Sequence, residues 1–382
     1  MTISPYIRTV RLHQIAVSHR TTWFVTEITT ADGVTGLGEC SDLRDPEAAA
    51  AVINAIAPLI AHHRHGHDID ALDRRITHHL GRDASPADTF LHRLVVGSLM
   101  TALCDIAART DGLPLHRWLG APAKSTVPLY ANINRAPVER RSEEFASVAA
   151  TAVSAGFDRI KLAPFDGPAH GDSSLLETGL AHLRAVRAAV GPSTTVYVDV
   201  HHRLSRPELL AAIEAMEELG IAWIEDAVDV LSAADLLWLR EATEIPLAGG
   251  EKLTDPADVA SVVEEGLLSY LLLDPKYVGG PLRMRSILDV VGDTTVTFHD
   301  PTSPVSTGVS AHLAALPKNF AHVEYAFGEP IDRRTLLTPA EEIANGELTL
   351  TPGPGIGAAF DSAAIGDRIT TRDWQPQKRE ST

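Results

Sequence analysis

The stretch TTVYVDVHHRLSRPELLAAIEAMEELGIAWIED, residues 194–226, contains one complete unit of the second half of the chain. An alternating apolar run ends on Asp199, a helix-patterned segment follows, and a second apolar run ends on Glu225. The two acids are 26 residues apart, enough for one strand, one helix and two short loops. The unit recurs downstream. IPLAGGE (245–251), LSYLLLD (268–274), TVTFH (295–299) and FAHVE (320–324) end on Glu251, Asp274, His299 and Glu324, after steps of 26, 23, 25 and 25 residues. A barrel of parallel strands brings all its strand C-termini to one face, so groups spaced in this way meet in one site.

Working outward, VPLYANI (127–133) and FDRIKLAPF (157–165) add two upstream strands. Eight strands then begin near Leu129, Ile160, Tyr197, Ile224, Leu247, Leu271, Thr297 and Val323, separated by helical segments such as DPADVASVVEEG. The expected fold is α/β, a (β/α)8-type, modified TIM barrel over residues 126–350. Residues 1–60 carry the alternating runs RTVRLHQIAV and TTWFVTEITT and the turn ADGVTGLGE, which read as an antiparallel meander. Residues 45–120 read as helices that end at DGLPLHRWLG. An N-terminal α+β capping domain is therefore expected over 1–125, completed by the Pro/Gly-rich tail 351–382. Its last residues, RDWQPQKREST, are expected to fray.

A chain of 382 residues accommodates a barrel plus a smaller domain. Its net charge of −17 argues against nucleic acid as a partner. No run approaches the roughly 18–20 continuous apolar residues that span a bilayer, and the N-terminus lacks the pattern of a signal peptide. Two isolated cysteines, Cys40 and Cys104, suit a reducing cytoplasm. The expected protein is cytoplasmic, free of membrane and nucleic acid, and a homo-oligomer.

Asp199, Glu225 and Glu251 end three consecutive strands, which is the donor set a hard divalent cation such as magnesium prefers. Any one of them could instead cap a helix or pair with a base, but the equal spacing of three favours the metal. A metal there grips a substrate carboxylate and stabilises the enediolate formed when the neighbouring proton leaves. Lys161 ends RIKL, either as a solvated strand-end lysine or as a cation polarising that carboxylate. Asp274 and His299, on adjacent strands, form a carboxylate–imidazole dyad suited to proton abstraction. His201, two residues after Asp199, shares its side of the strand by alternation and reads as a second acid or base. His202 points away and reads as structural. Glu324 either bonds the developing enolate oxygen or is a buried structural carboxylate.

These residues resemble the enolase superfamily, in its mandelate racemase-like group. The resemblance runs through GLGEC, ALCDIAARTDGLPLHRWLG, VDVHHR, WIEDAV, LAGGEKL, LLLDPKYVGG and FHDPTSPVSTGVSAHLAAL. It implies magnesium on Asp199, Glu225 and Glu251, the dyad on Asp274 and His299, and the last-strand acid at Glu324. A His or Lys base working with magnesium is the known pattern of these sites. Racemases of the group carry Lys-x-Lys on the second barrel strand, whereas this chain has Lys161-Leu162-Ala163. The Asp199-Val200-His201 and His299-Asp-Pro-Thr-Ser-Pro segments instead resemble galactonate dehydratase and its acid-sugar relatives, where the strand-three histidine expels a hydroxyl as water. The resemblance thus implies a lyase that converts an aldonate or aldarate to a 2-keto-3-deoxy acid. The alternatives are an epimerase or lactone cycloisomerase using the same enolate, and a non-catalytic metal-binding barrel. In this family two loops of the first domain choose the substrate. Here these are Ser18–Trp23 and Ser41–Arg44, with Arg20 and Trp23 as sugar contacts and Asn132 and Asn134 as hydroxyl partners.

Overall fold

The computed structural model describes residues 7–43, 45–61, 69–80, 86–167, 174–361 and 363–375. Strands β1 (Ile7–Ala16), β2 (Thr22–Thr30) and β3 (Thr35–Glu39) form an antiparallel meander. Helices α1 (Pro46–Ala61), α2 (Ile69–Leu80) and α3 (Pro86–Thr110) follow. Helix α3 lies directly on β3 because Gly36 and Gly38 have no side chain. A Cβ at either would run into the carbonyl oxygens of Ala102 and Ser98. This close approach fixes the end of β3, from which Glu39 and the loop to Asp42 reach the barrel. The Thr89–Thr110 portion of α3 is long and apolar enough, by composition, to cross a membrane, yet most of it is buried inside the fold. The sequence count of continuous apolar residues passes over this helix because polar residues interrupt it.

The short helix α4 (Leu115–Trp118) leads into eight parallel strands. These are β4 (Thr126–Asn132), β5 (Arg159–Leu162), β6 (Thr195–Asp199), β7 (Trp223–Glu225), β8 (Leu247–Gly249), β9 (Tyr270–Leu273), β10 (Thr295–Phe298) and β11 (Phe320–Ala326). They pair in sequence order, and β11 closes the barrel on β4 with Glu324 opposite Tyr130. The crossovers carry α5 (Ser142–Ser154), α6 (Leu175–Val190), α7 (Arg206–Glu218), α8 (Ala233–Ala242), α9 (Pro256–Glu265), α10 (Pro275–Val278), α11 (Pro281–Leu288) and α12 (Pro304–Leu313). Their starts follow local rules: Asp255 and Ser303 accept from the second helical N–H of α9 and α12, and each of those helices begins with Pro.

After β11 the chain leaves the barrel through β12 (Leu337–Thr338) and the hairpin β13 (Glu342–Ala344)–β14 (Glu347–Thr349), which extends the sheet beside the start of β4. Strand β15 (Ala359–Phe360) pairs with β12, and β16 (Ile369–Trp374) runs antiparallel to β1. Arg372, Asp373 and Trp374, expected to fray, instead finish this strand. Arg372 binds Glu47, and Trp374 Nε1 donates to Asn54 Oδ1 at 2.6 Å. The alternating ITTRDW supplies the strand, and the open edge of β1 supplies its partner. Residues 376–382, the remainder of that segment, lie outside the described residues.

Candidate active site

Asp199 and Glu225 end β6 and β7 as register partners, so they project from the barrel side by side. Glu251 stands just past β8, Asp274 and His299 directly follow β9 and β10, and Glu324 lies within β11. None of the six is more than 7% exposed. Below them the barrel is filled with aromatic rings, and those of Tyr197 and Trp223 stack at 3.6 Å. The polar groups are thereby confined to the strand C-termini.

Lys161, from β5, is the hub of this layer. Its Nζ lies 2.7 Å from Glu225 Oε1, 3.0 Å from Glu324 Oε1 and 3.7 Å from Asp199 Oδ2. Burial opposes its charge, but Glu225 and Glu324 outweigh that and hold the ammonium well above its ordinary value. Asn132 donates to Glu324 Oε1, and the Asp300 amide donates to Glu324 Oε2 at 3.0 Å. Each oxygen of Glu324 therefore has a hydrogen-bond partner within this layer.

His299 Nδ1 is 2.8 Å from Asp274 Oδ2. Asp274 also caps α10, its Oδ1 accepting from the Lys276 amide at 2.7 Å. The carboxylate thus holds the helix start through one oxygen and the imidazole through the other. Lys276 Nζ reaches the same Oδ2 at 2.9 Å. His299 Nε2 lies 2.9 Å from Glu251 Oε2. Burial would depress His299, yet Glu251, Glu324 and Asp274 hold it well above an ordinary imidazole.

His201 reaches the site by a route that alternation did not describe. Strand β6 stops at Asp199, and His201 and His202 take left-handed backbone angles, φ 49° and 53°. The turn brings His201 Nε2 to 2.8 Å from Asp199 Oδ2, while Nδ1 lies 3.0 Å from both oxygens of Asp166. Burial lowers its basicity, but the two carboxylates more than compensate and set it at about 11. His202 is exposed. Asp166, in the loop after β5, had no signal in the sequence, since only the fold brings it to His201.

Among the described residues no three His, Cys, Asp or Glu side chains already converge as a cation cage. Asp199, Glu225 and Glu251 are turned instead to His201, Lys161 and His299. Their chemistry nevertheless suits a hard divalent ion. The donors are all oxygen, they are buried, and Glu225 Oε2 has no hydrogen-bond partner among the described residues. Burial drives Glu225 well above the carboxylate range despite Lys161, with Asp199 and Glu324 acting in the same direction. Burial also raises the adjacent Asp226, to about 7, with Glu251 and Asp199 adding to it. Such a surplus of buried negative charge is what a cation would neutralise.

Two chambers open above this layer. The inner one, of 70 Å³, is lined by Lys161, Asp199, His201 and His299, with Ala163 in its wall. The outer one, of 430 Å³, lies under the capping domain and is lined in part by Arg20, Thr22, Asp42 and Arg140. Asn134 and Arg135 line both, and Asn132 lines the inner one. Arg20 thus lines the outer chamber and Asn134 both chambers. Trp23 does not: it is wholly buried in the core, with the Arg333 guanidinium 5.6 Å from its ring. The turn at Ser18–Thr21 sends Arg20 outward, and β2 then carries the large apolar indole inward. Arg44 lies outside the described residues. Asp42 is held between two barrel groups, Tyr277 Oη at 3.1 Å and Arg135 Nη2 at 3.4 Å. Arg135, Lys276 and Tyr277 were not singled out from sequence, although Lys276 stands two residues from Asp274.

A closed parallel barrel with carboxylates on successive strand ends, covered by a separate meander-and-helix domain, defines an α/β enzyme whose site faces its cap. Residues 144–364 match the enolase C-terminal domain-like family, and residues 2–120 match the mandelate racemase / muconate lactonizing enzyme N-terminal domain. The chain belongs to the enolase superfamily of enzymes, in its mandelate racemase / muconate lactonizing enzyme group. It is 26% identical to D-mannonate dehydratase Caul1427 of Caulobacter sp. (strain K31), over 93% of this chain and 94% of that one. It is also 26% identical to a D-galactonate dehydratase family member of Streptomyces bingchenggensis, over 88% and 87%. A mandelate racemase/muconate lactonizing enzyme-like protein from Rubrobacter xylanophilus has a similar structure, with TM-score 0.82, 26% identity and coverage of 96% and 98%.

Proposed function

We propose that this protein is a magnesium-dependent acid-sugar dehydratase that removes the proton next to a carboxylate and then expels the neighbouring hydroxyl as water. The observation that carries this reading is the pair of histidines in the inner chamber. His201 and His299 both line it, from beyond the ends of β6 and β10, four strands apart around the barrel, and Ala163 offers no second lysine. Asp199, Glu225 and Glu251 would hold the magnesium, which supplies charge stabilisation to the carboxylate and its enediolate.

His299 is the base. Its Nδ1 is fixed by Asp274, so Nε2 is the atom that takes the α-proton. Here Nε2 is held by Glu251, and a magnesium ion held by Glu251 would compete for that carboxylate and would favour the neutral ring a base requires. Lys161 places its ammonium against the substrate carboxylate, and Glu324 keeps Lys161 oriented. His201, kept protonated by Asp166 and Asp199, gives its proton to the departing hydroxyl. Hydroxide is a poor leaving group, so this proton makes elimination feasible. The products are water and an enol that becomes the 2-keto-3-deoxy acid. The dehydratase names of the relatives favour the same outcome. We assign residues 1–125 with 351–382 to the cap and 126–350 to the barrel, and place the enzyme in the cytoplasm, where its buried free thiols Cys40 and Cys104 remain reduced.

A panel of aldonates and aldarates incubated with the protein and Mg²⁺ tests this, read as 2-keto acid by semicarbazide. Keto-acid formation from at least one member is the expected result. Epimerised or ring-closed products without keto acid would overturn it.

A further inference from the structure

We propose that Arg135 reads the far end of the substrate, and that this end carries a second carboxylate. The inference rests on the dehydratase reading above and narrows its substrate class to diacids. The inner chamber has room only for the reacting end, 70 Å³ beside Lys161 and the two histidines. The rest of a sugar acid must pass Asn134 and Arg135 into the 430 Å³ outer chamber.

The guanidiniums of that outer wall are not equivalent. Arg140 is committed to the architecture, donating to Ala163 O at 2.7 Å and to Asn134 O and Oδ1 at 2.9 Å. Arg20 donates to the carbonyl of Pro137. Among the described residues Arg135 makes one hydrogen bond, a long one of 3.4 Å from Nη2 to Asp42 Oδ1. A guanidinium has five N–H donors in a planar fork, and a carboxylate satisfies two of them in parallel. Asp42 does not do so here. Its other oxygen is taken by Tyr277 Oη, and its backbone is held at φ 77°. Asp42 and the neighbouring Glu329 together balance the charge of Arg135 without filling the fork.

A substrate carboxylate entering from the inner chamber would complete the fork. A hydroxymethyl terminus carries no charge and would leave Arg135 on Asp42. The counter-charges do not reverse this. The outer chamber is lined by three guanidiniums and two carboxylates, and one of those carboxylates, Asp166, is engaged with His201. D-mannonate dehydratase Caul1427 is named for a monoacid, so a preference for diacids would set this chain apart from it.

Matched aldonates and aldarates of the same configuration test the proposal on the full-length protein with Mg²⁺. The wild type is expected to favour the diacid in kcat/KM by about 100-fold, the scale of one buried charge pair. Arg135→Met should lower that preference at least 10-fold, chiefly through KM, and Arg135→Lys should restore only part of it because the fork is missing. A wild type that favours monoacids, or an Arg135→Met variant that loses both substrates equally, would overturn the inference while leaving the dehydratase reading intact. If no acid is dehydrated, the dehydratase reading fails on its own, and calorimetry with Mg²⁺ and the same acid pairs decides the role of Arg135. Tighter, Arg135-dependent binding of the diacid supports it, and equal binding overturns it.

Discussion

His299 Nδ1 and Asp274 Oδ2 are 2.8 Å apart, and the carboxylate that holds the ring is itself fixed by capping α10. The proposed base is therefore oriented by a carboxylate that is fixed at a helix start. Asp274→Asn keeps a good cap but loses the charge that favours the protonated ring. Keto-acid formation should fall by about 10³–10⁴-fold with the circular dichroism spectrum unchanged. A loss under tenfold would mean that Asp274 only supports the fold.

Metal dependence has a readout apart from activity. Adding Mg²⁺ to protein stripped with a chelator should raise the thermal midpoint, with about 2.7 kcal/mol of stabilisation at a hundredfold excess over Kd. Glu225→Gln and Asp199→Asn should each abolish most of that shift. An undiminished shift in both variants would place the cation elsewhere.

Asp166 separates the two proposed proton steps. Asp166→Asn removes one of the two carboxylates that keep His201 protonated. Water loss should slow by about 10–100-fold, whereas exchange of the α-proton with solvent continues at close to the wild-type rate. A parallel loss of both would tie Asp166 to the base instead.

The seam between cap and barrel should be sensitive to acid. His116 on α4 and His312 on α12 are buried with their Nδ1 atoms 2.8 Å apart, so one donates and the other accepts. Burial, with His116 adding to it, pushes His312 down to about 4. A depressed folded value means this contribution is complete above the unfolded value near 6.5 and is lost as pH falls toward 4, by up to about 3 kcal/mol. Chemical denaturation across that range should show a shallower slope in His312→Asn than in the wild type. Equal slopes would remove the pair from the acid response.

The barrel was legible because its signal is local. Each strand is an apolar run closed by a polar residue, and six such closures recur at one period. The same regularity exposed Asp199, Glu225 and Glu251. His201 was found through an argument the backbone does not follow, since its left-handed turn, and not strand alternation, points it inward. Asp166 and Arg135 were not found because they stand in loops that meet only across the barrel mouth, whereas Asp42 falls within the Ser41–Arg44 loop that the resemblance indicates. Trp23 was misjudged because an exposed loop and a buried strand meet at Thr22, and sequence does not show on which side the indole falls. Strand β16 was missed because its partner, β1, lies more than 350 residues away, as in the pairing of Val10 with Trp374.

The most direct test of the division of labour is proton NMR in D₂O with Mg²⁺ and an acid-sugar substrate, comparing His201→Asn with His299→Asn. His201→Asn is expected to exchange the C2 proton for deuterium while forming little keto acid, and His299→Asn is expected to do neither. Exchange that survives in His299→Asn, or is absent from His201→Asn, would contradict the assignment of base and acid.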